Sequence, residues 1–182
     1  MIREWTHAVA NTGLHYREAD FGDSALDEFE CGDEPHAIEM RDFFQARGWS
    51  GKALNFPRPS RCLQFGTLDA IVGYVAFVIQ ERPYPTFKGK KKRDYLLIAQ
   101  MAIVTGFQGI RDPDGTATYA REIFDELKRI AQQEKCAGLY LNVRKENGKA
   151  RACYEKAGFK ADGEYLSPHM PGAEMIRYRL EI

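Results

Sequence analysis

The sequence predicts an α/β fold of the α+β type, a mixed sheet with helices packed on it. Three observations carry that prediction. From residue 61 onward the patterns run strand, strand, strand, helix, strand, helix, strand, strand. Tyr95–Val104 is nearly all apolar, as a strand buried on both faces would be. A later segment sets apolar residues at helical spacing. The 182 residues, 44% hydrophobic and 12% aromatic, suffice for one domain with its own core.

Taken in order, Trp5–Val9 predicts a short strand. Pro35–Arg47 predicts a helix with Ile38, Met40, Phe43 and Phe44 as its apolar members, and Gly48 stops it. Ser50–Ser60 holds Gly51, Pro57 and Pro59 and reads as a loop. Arg61–Phe65 and Ile71–Gln80 predict a hairpin around Gly66–Asp69, the second strand rich in Val, Ile, Tyr and Phe. Tyr95–Val104 is the buried strand. Thr116–Glu134 is a helix, because Ala120, Ile123, Phe124, Leu127, Ile130 and Ala131 form one stripe. Gly138–Val143 is a short apolar strand. Asn147–Ala157 is a second helix, ended by Gly158. Phe159–Leu166 and Glu174–Ile182 are closing strands joined through Pro168, Pro171 and Gly172.

Composition excludes several functions. Lys plus Arg and Asp plus Glu number 26 each, which argues against a generic polyanion binder. The charge is unevenly placed: residues 18–42 hold ten acids against Arg41 alone, while Lys88, Lys90, Lys91, Lys92 and Arg93 form a basic run. That run reads either as a solvated loop or as a surface steering an anionic ligand. No apolar run approaches the ~20 residues of a membrane helix; the longest, Ala70–Ile79, is interrupted by Gly73. The first residues lack an apolar signal core. Cys31, Cys62, Cys136 and Cys153 form no CxxC pair and predict free thiols in a reducing cytoplasm. His7, His15, His36 and His169 show no metal-ligand spacing, so no metal is expected.

The passage from the Tyr95–Val104 strand through Gly106–Arg111 and Asp112–Thr116 into a helix suits an anion. Turn amides and first-turn donors converge there, and the helix dipole favours negative charge. Arg111 adds a cation. No Gly-Lys-Ser/Thr follows Gly109, so it is not a P-loop.

A second passage carries a resemblance. Leu141 and Val143, then Asn147 and Ala150, then Tyr154-Glu-Lys-Ala-Gly-Phe159 stand in the order and spacing of the GNAT N-acetyltransferase signature. The chain resembles that superfamily over residues 61–182, most specifically over 95–159. Met101-Ala102-Ile103 is similar to the strand before the family's pyrophosphate loop, and Phe107-Gln108-Gly109 to the loop's opening. The loop departs from the family pattern: the Gly-x-Ala expected at residue 111 comes at Gly115-Thr116-Ala117, four residues later, with Asp112 and Asp114 between.

The resemblance implies a mostly antiparallel sheet with a V-shaped splay beside the cofactor and helices on both faces. It implies a single domain, residues 1–60 on the substrate side and 61–182 binding acetyl-CoA. Met101, Ala102 and Ile103 would pair with the pantetheine. Gln108, Gly109, Ile110, Arg111, Gly115 and Thr116 would hold the pyrophosphate, and Asn147 would touch the cofactor arm. Acetyl would pass to an amine by direct attack, with Tyr154 as the acid for the CoA thiolate. A phenol of pKa ~10 can protonate a thiol of pKa ~8.5 only modestly uphill. From the residues alone, Tyr154 also reads as a packing residue in the stripe Ala150, Cys153, Tyr154, Ala157, and Asn147 as an N-cap. Tyr140 and Asn142 face away from Leu139, Leu141 and Val143 and read either as substrate-side or as packed. Gln100, Glu164, Glu174 and His169 are the candidates near a general base, with a water chain as the alternative.

For the acceptor, a small-molecule or protein amine is the leading expectation, with a homodimer allowed. Phe21–Phe29 and Phe29-Glu-Cys-Gly-Asp33 bear a weaker resemblance to acetyltransferase toxins, which act on aminoacyl-tRNA and pair with an antitoxin. A CoA-binding module without catalysis is the third reading; the family's acid position, filled here by Tyr154, argues against it.

Overall fold

The computed structural model describes residues 5–9, 12–19, 32, 61–81, 93–109, 117–168 and 171–182. The predicted helix Pro35–Arg47 and loop Ser50–Ser60 lie outside them. Strands β1 (His7–Ala8), β2 (His15–Glu18), β3 (Arg61–Gly66), β4 (Ile71–Glu81) and β5 (Asp94–Ile103) come first. A 3-10 turn, Thr105–Phe107, leads to helix α1 (Tyr119–Gln133). Strand β6 (Gly138–Arg144), helix α2 (Gly148–Lys156), β7 (Lys160–Leu166) and β8 (Glu174–Glu181) follow. The described strands form one eight-stranded sheet in the order β1-β2-β3-β4-β5-β6-β8-β7. The β5–β6 pair is parallel, while β1–β2, β2–β3, β6–β8 and β7–β8 are antiparallel.

Every predicted element from residue 61 onward is present, with ends shifted by up to three residues. The sequence reading did not foresee β2. Its four residues, His-Tyr-Arg-Glu, offer one apolar side chain, Tyr16, and pair antiparallel with β3 through Tyr16↔Phe65. The prediction for β5 needs a correction. Tyr95–Ile98 is buried, but Ala99–Met101 and Ile103 are only half-buried. The parallel ladder to β6 covers Leu96–Ile98 alone, and β5 continues past it to Ile103.

The chain divides into two compact units, Met1–Ala76 with Gln100–Phe124 and Phe77–Ala99 with Asp125–Ile182. In the first, Leu14, Tyr16, Leu63, Phe65, Val72 and Tyr74 are buried, and the Tyr16 and Phe65 rings lie 5.5 Å apart. A polar chain runs through this core: Arg17 Nε donates to Gln64 Oε1 at 2.7 Å, and Gln64 Nε2 donates to the Tyr74 hydroxyl at 2.5 Å. Pairing keeps a buried amide tolerable. Gly73 has no room for a side chain, because a Cβ would collide with the Ala102 carbonyl. In the second unit, Leu96, Leu127, Leu139, Leu141, Ile176 and Tyr178 are buried. Burying each such leucine or isoleucine stabilises by roughly 1.5–3 kcal/mol. Tyr140 is fully buried, packed edge-on to Tyr95, and its hydroxyl accepts from Gln80, so of its two readings the packed one is realised.

The two helices are stabilised differently. The α1 stripe Ile123, Phe124, Leu127, Ile130 and Ala131 is buried, so packing sustains it. Nine-residue α2 is too short to stand on propensity. Its ends hold it. Asn147 Oδ1 accepts from the Ala150 N–H at 3.0 Å. At the other end Gly158 sits at φ +94°, its N–H donates to Glu155 O, and the Phe159 N–H donates to Tyr154 O. That is a Schellman cap.

Candidate active site

The first unit supplies a strand, a turn and the start of a helix. After Ala102, which is buried, the Val104 N–H donates to Val72 O at 2.9 Å and turns the chain off β5. The 3-10 turn closes through Phe107 N–H to Val104 O at 2.8 Å and Gln108 N–H to Thr105 O at 3.2 Å. Gln108 Nε2 bends back and donates to Ile103 O at 2.9 Å. The Phe107 ring meets Tyr119, the first residue of α1, edge to face at 5.5 Å. Gly109 is exposed at φ +73°, with open space where a Cβ would stand. That left-handed conformation favours glycine. Ile110, Arg111, Gly115 and Thr116 lie outside the described residues. Sequence reasoning passed over Glu122, which is 3% exposed in the first turn of α1. The positive end of the helix dipole favours an acid there, and the signal was available as an acid among apolar stripe residues.

Tyr154 lies in the second unit. It is the third residue from the C-terminal end of α2, and its carbonyl accepts the Phe159 N–H of the cap. Its ring meets Phe159 at 6.1 Å and Tyr178 of β8 at 6.0 Å. The hydrophobic contact that accompanies a Schellman cap is thus Tyr154 on Phe159. Burial, with the neighbouring Cys153 thiol as a lesser cause, pushes the Tyr154 phenol far above its usual pKa. It stays protonated through the working pH range. Tyr178 donates to Glu155 Oε1 at 2.6 Å and accepts from Arg151 Nε at 3.4 Å.

The candidates near a general base divide. Glu164 and Glu174 both pair with Lys145, at 2.8 and 3.3 Å, on an exposed surface. Gln100 is half-buried on β5, and His169 lies outside the described residues. Asn142, half-buried on β6, has its Oδ1 buried with no hydrogen-bond partner. Among the described residues no cluster of His, Cys, Asp and Glu could hold a metal ion, and no helix is long and apolar enough to cross a membrane.

Residues 23–159 match the pattern of the family described as acetyltransferase (GNAT) family. The chain belongs to the GNAT acetyltransferase family. No protein of curated function matches the sequence. Among solved structures, this acetyltransferase is similar to Arabidopsis thaliana NAA60 in complex with acetyl-CoA, at 16% identity and a TM-score of 0.59, over 93% of this chain and 99% of that one. A Bacillus subtilis acetyltransferase in complex with CoA matches at 13% identity and a TM-score of 0.54, over 93% and 99%. The NatC complex bound to Gag peptide and CoA matches at 12% identity and a TM-score of 0.55, over 93% and 98%. Acetyl-CoA is the donor that membership implies. The residues present fit it: a strand continuing beyond its parallel ladder, and an exposed glycine at positive φ on the way to a 15-residue helix.

Proposed function

We propose that this GNAT acetyltransferase moves acetyl from acetyl-CoA to a primary amine by direct attack, with Tyr154 protonating the departing sulfur. The observation that carries the proposal is the placement of Tyr154. A glycine-dependent cap fixes its ring, and burial keeps its proton on. The amine nitrogen bonds to the carbonyl carbon and the carbon–sulfur bond breaks. The sulfur takes the electron pair and the Tyr154 proton; the acetylated nitrogen loses a proton through water, which reprotonates the phenolate. A raised phenol pKa makes the transfer harder in isolation. Dry surroundings raise the pKa of the leaving thiol as well, which restores part of the match.

For the donor, the reading is that Met101, Ala102 and Ile103 present backbone to the pantetheine and that the 108–116 turn holds the pyrophosphate. Because the Gln108 amide group is turned back on β5, backbone N–H groups rather than that side chain serve the phosphates. The acceptor is read as a small-molecule or peptide amine; the peptide in the NatC complex supports a peptide-sized one. Lys88–Lys92, and all of the Phe21–Asp33 match to the toxins except Gly32, lie outside the described residues. Cys62, Cys136 and Cys153 stand outside any disulfide, which supports a reducing, cytoplasmic setting. The test is thiol release from acetyl-CoA across an amine panel with the wild type and Tyr154→Phe. The reading expects turnover that falls roughly 10- to 1000-fold in the variant. Equal kcat in both would remove Tyr154 from the mechanism.

A further inference from the structure

The face of β6 and β8 that carries Asn142 is unlike the rest of the second unit. Cross-strand pairing sets Asn142 directly opposite Arg177, so the two side chains share one face about 5 Å apart at Cβ. Tyr178, the next residue of β8, turns to the other face, where Tyr154 meets it. Arg177 is only 8% exposed, and its guanidinium lies over the Tyr165 ring at 5.4 Å. On the far side β8 pairs with β7, and there Arg177 stands opposite Gly163. Gly163 follows a bulge, takes φ +138°, and would have nothing within 4 Å of a Cβ. A buried cation therefore has a side-chain-free neighbour on one strand and an amide on the other. That amide oxygen, Asn142 Oδ1, is buried and accepts no hydrogen bond.

A buried acceptor without a donor is unfavourable until one arrives. An amine N–H is such a donor. A guanidinium over an aromatic ring is a cation whose N–H donors match a carboxylate or phosphate. We propose that Asn142 and Arg177 hold the acceptor: the amide oxygen takes an N–H of the attacking amine, and the guanidinium takes an anionic group a few bonds away. The acceptor class is then a primary amine bearing a carboxylate or a phosphate. This rests on the acetyltransferase reading and deepens it.

Thiol release is measured for two matched pairs, glycine against glycinamide and phosphoethanolamine against ethanolamine, with rates corrected to the neutral-amine fraction. The wild type is expected to prefer the anionic member of at least one pair by roughly 10- to 100-fold in kcat/KM, the scale of a charge-assisted hydrogen bond. The pair that shows the preference tells carboxylate from phosphate. Arg177→Gln is expected to bring that ratio to about one, with Arg177→Lys restoring part of it. Asn142→Ala should lower kcat/KM for both members. Acetyl-CoA affinity within about twofold of the wild type shows that a variant is folded; if Arg177→Gln fails that check, the wild-type ratio and Asn142→Ala still decide. Equal use of neutral and anionic amines, or a folded Arg177→Gln that keeps the preference, overturns the proposal. Acetyl-CoA binding without turnover of any of the four amines also overturns it and leaves the acetyltransferase reading standing. No acetyl-CoA binding overturns both.

Discussion

Tyr154 and Asn147 each hold a structural place to which the proposed function adds a chemical role. Tyr154→Phe keeps the ring contacts to Phe159 and Tyr178 and removes the hydroxyl. The dissociation constant for acetyl-CoA, followed by calorimetry, should stay within about twofold while kcat falls. The raised phenol pKa sets the pH profile. Attack needs a neutral amine, so kcat/KM rises with pH. Tyr154 does not ionise near its usual pKa of ~10, so no falling limb belongs to it up to that pH. A descending limb at pH 8–9 that disappears in Tyr154→Phe would contradict the burial argument. Asn147 caps α2, so Asn147→Ala should cost about 1 kcal/mol. In a chain of this length that is a Tm loss of roughly 2–4 °C. Asn147→Ser keeps a cap without adding a charge. If it holds Tm and still weakens acetyl-CoA binding, Asn147 touches the donor as well; unchanged binding leaves it a cap.

At the level of elements, the end of α2 explains why the Tyr154-Glu-Lys-Ala-Gly-Phe159 segment has its composition. Gly158 supplies φ +94°, and Phe159 supplies the N–H and the ring that seat Tyr154. A Cβ at Gly158 would find only ordinary contact, Leu180 Cδ1 at 3.6 Å, so the conformation and not the space forbids a side chain. Gly158→Ala should therefore lose about 1–2 kcal/mol, read as the Tm by calorimetry. It should also lower kcat, because the strain falls on the turn that positions the phenol. Full activity alongside lost stability would detach the cap from catalysis. The α1 terminus uses the same device with Lys135 at φ +59°, a left-handed residue that composition alone does not flag. The first half of β5 was legible as buried because its apolar run is unbroken. The half-exposure of its second half was not, because exposure there follows from where the β6 ladder stops.

For the whole molecule, the donor reading makes a thermodynamic prediction. A ligand that binds only the native state stabilises it by mass action, about 2.7 kcal/mol at a hundredfold excess over Kd. Acetyl-CoA at that excess should raise Tm by roughly 5–10 °C in a scanning experiment. No shift at millimolar acetyl-CoA would argue against donor binding altogether. The zero formal charge fits an acceptor recognised by a few placed groups better than one drawn in by a general field.

What the sequence determined by itself is what depends on near neighbours along the chain. The apolar periodicities from residue 61 to the end, the cap residues Asn147 and Gly158, and the signature from Leu139 to Phe159 are all local, and they were enough for fold class and family. What only the tertiary structure decided depends on which strand lies beside which. Tyr140 and Asn142 have the same alternation in sequence, yet Tyr140 packs against Tyr95 while Asn142 keeps a buried oxygen without a donor. Gln108 could have faced a phosphate, and instead its amide closes on Ile103. Arg177 belongs to no motif; it gains meaning from the register that sets it opposite Asn142 and Gly163. Periodicity states which face a side chain takes, but register and burial decide its neighbours, and neighbours decide its chemistry.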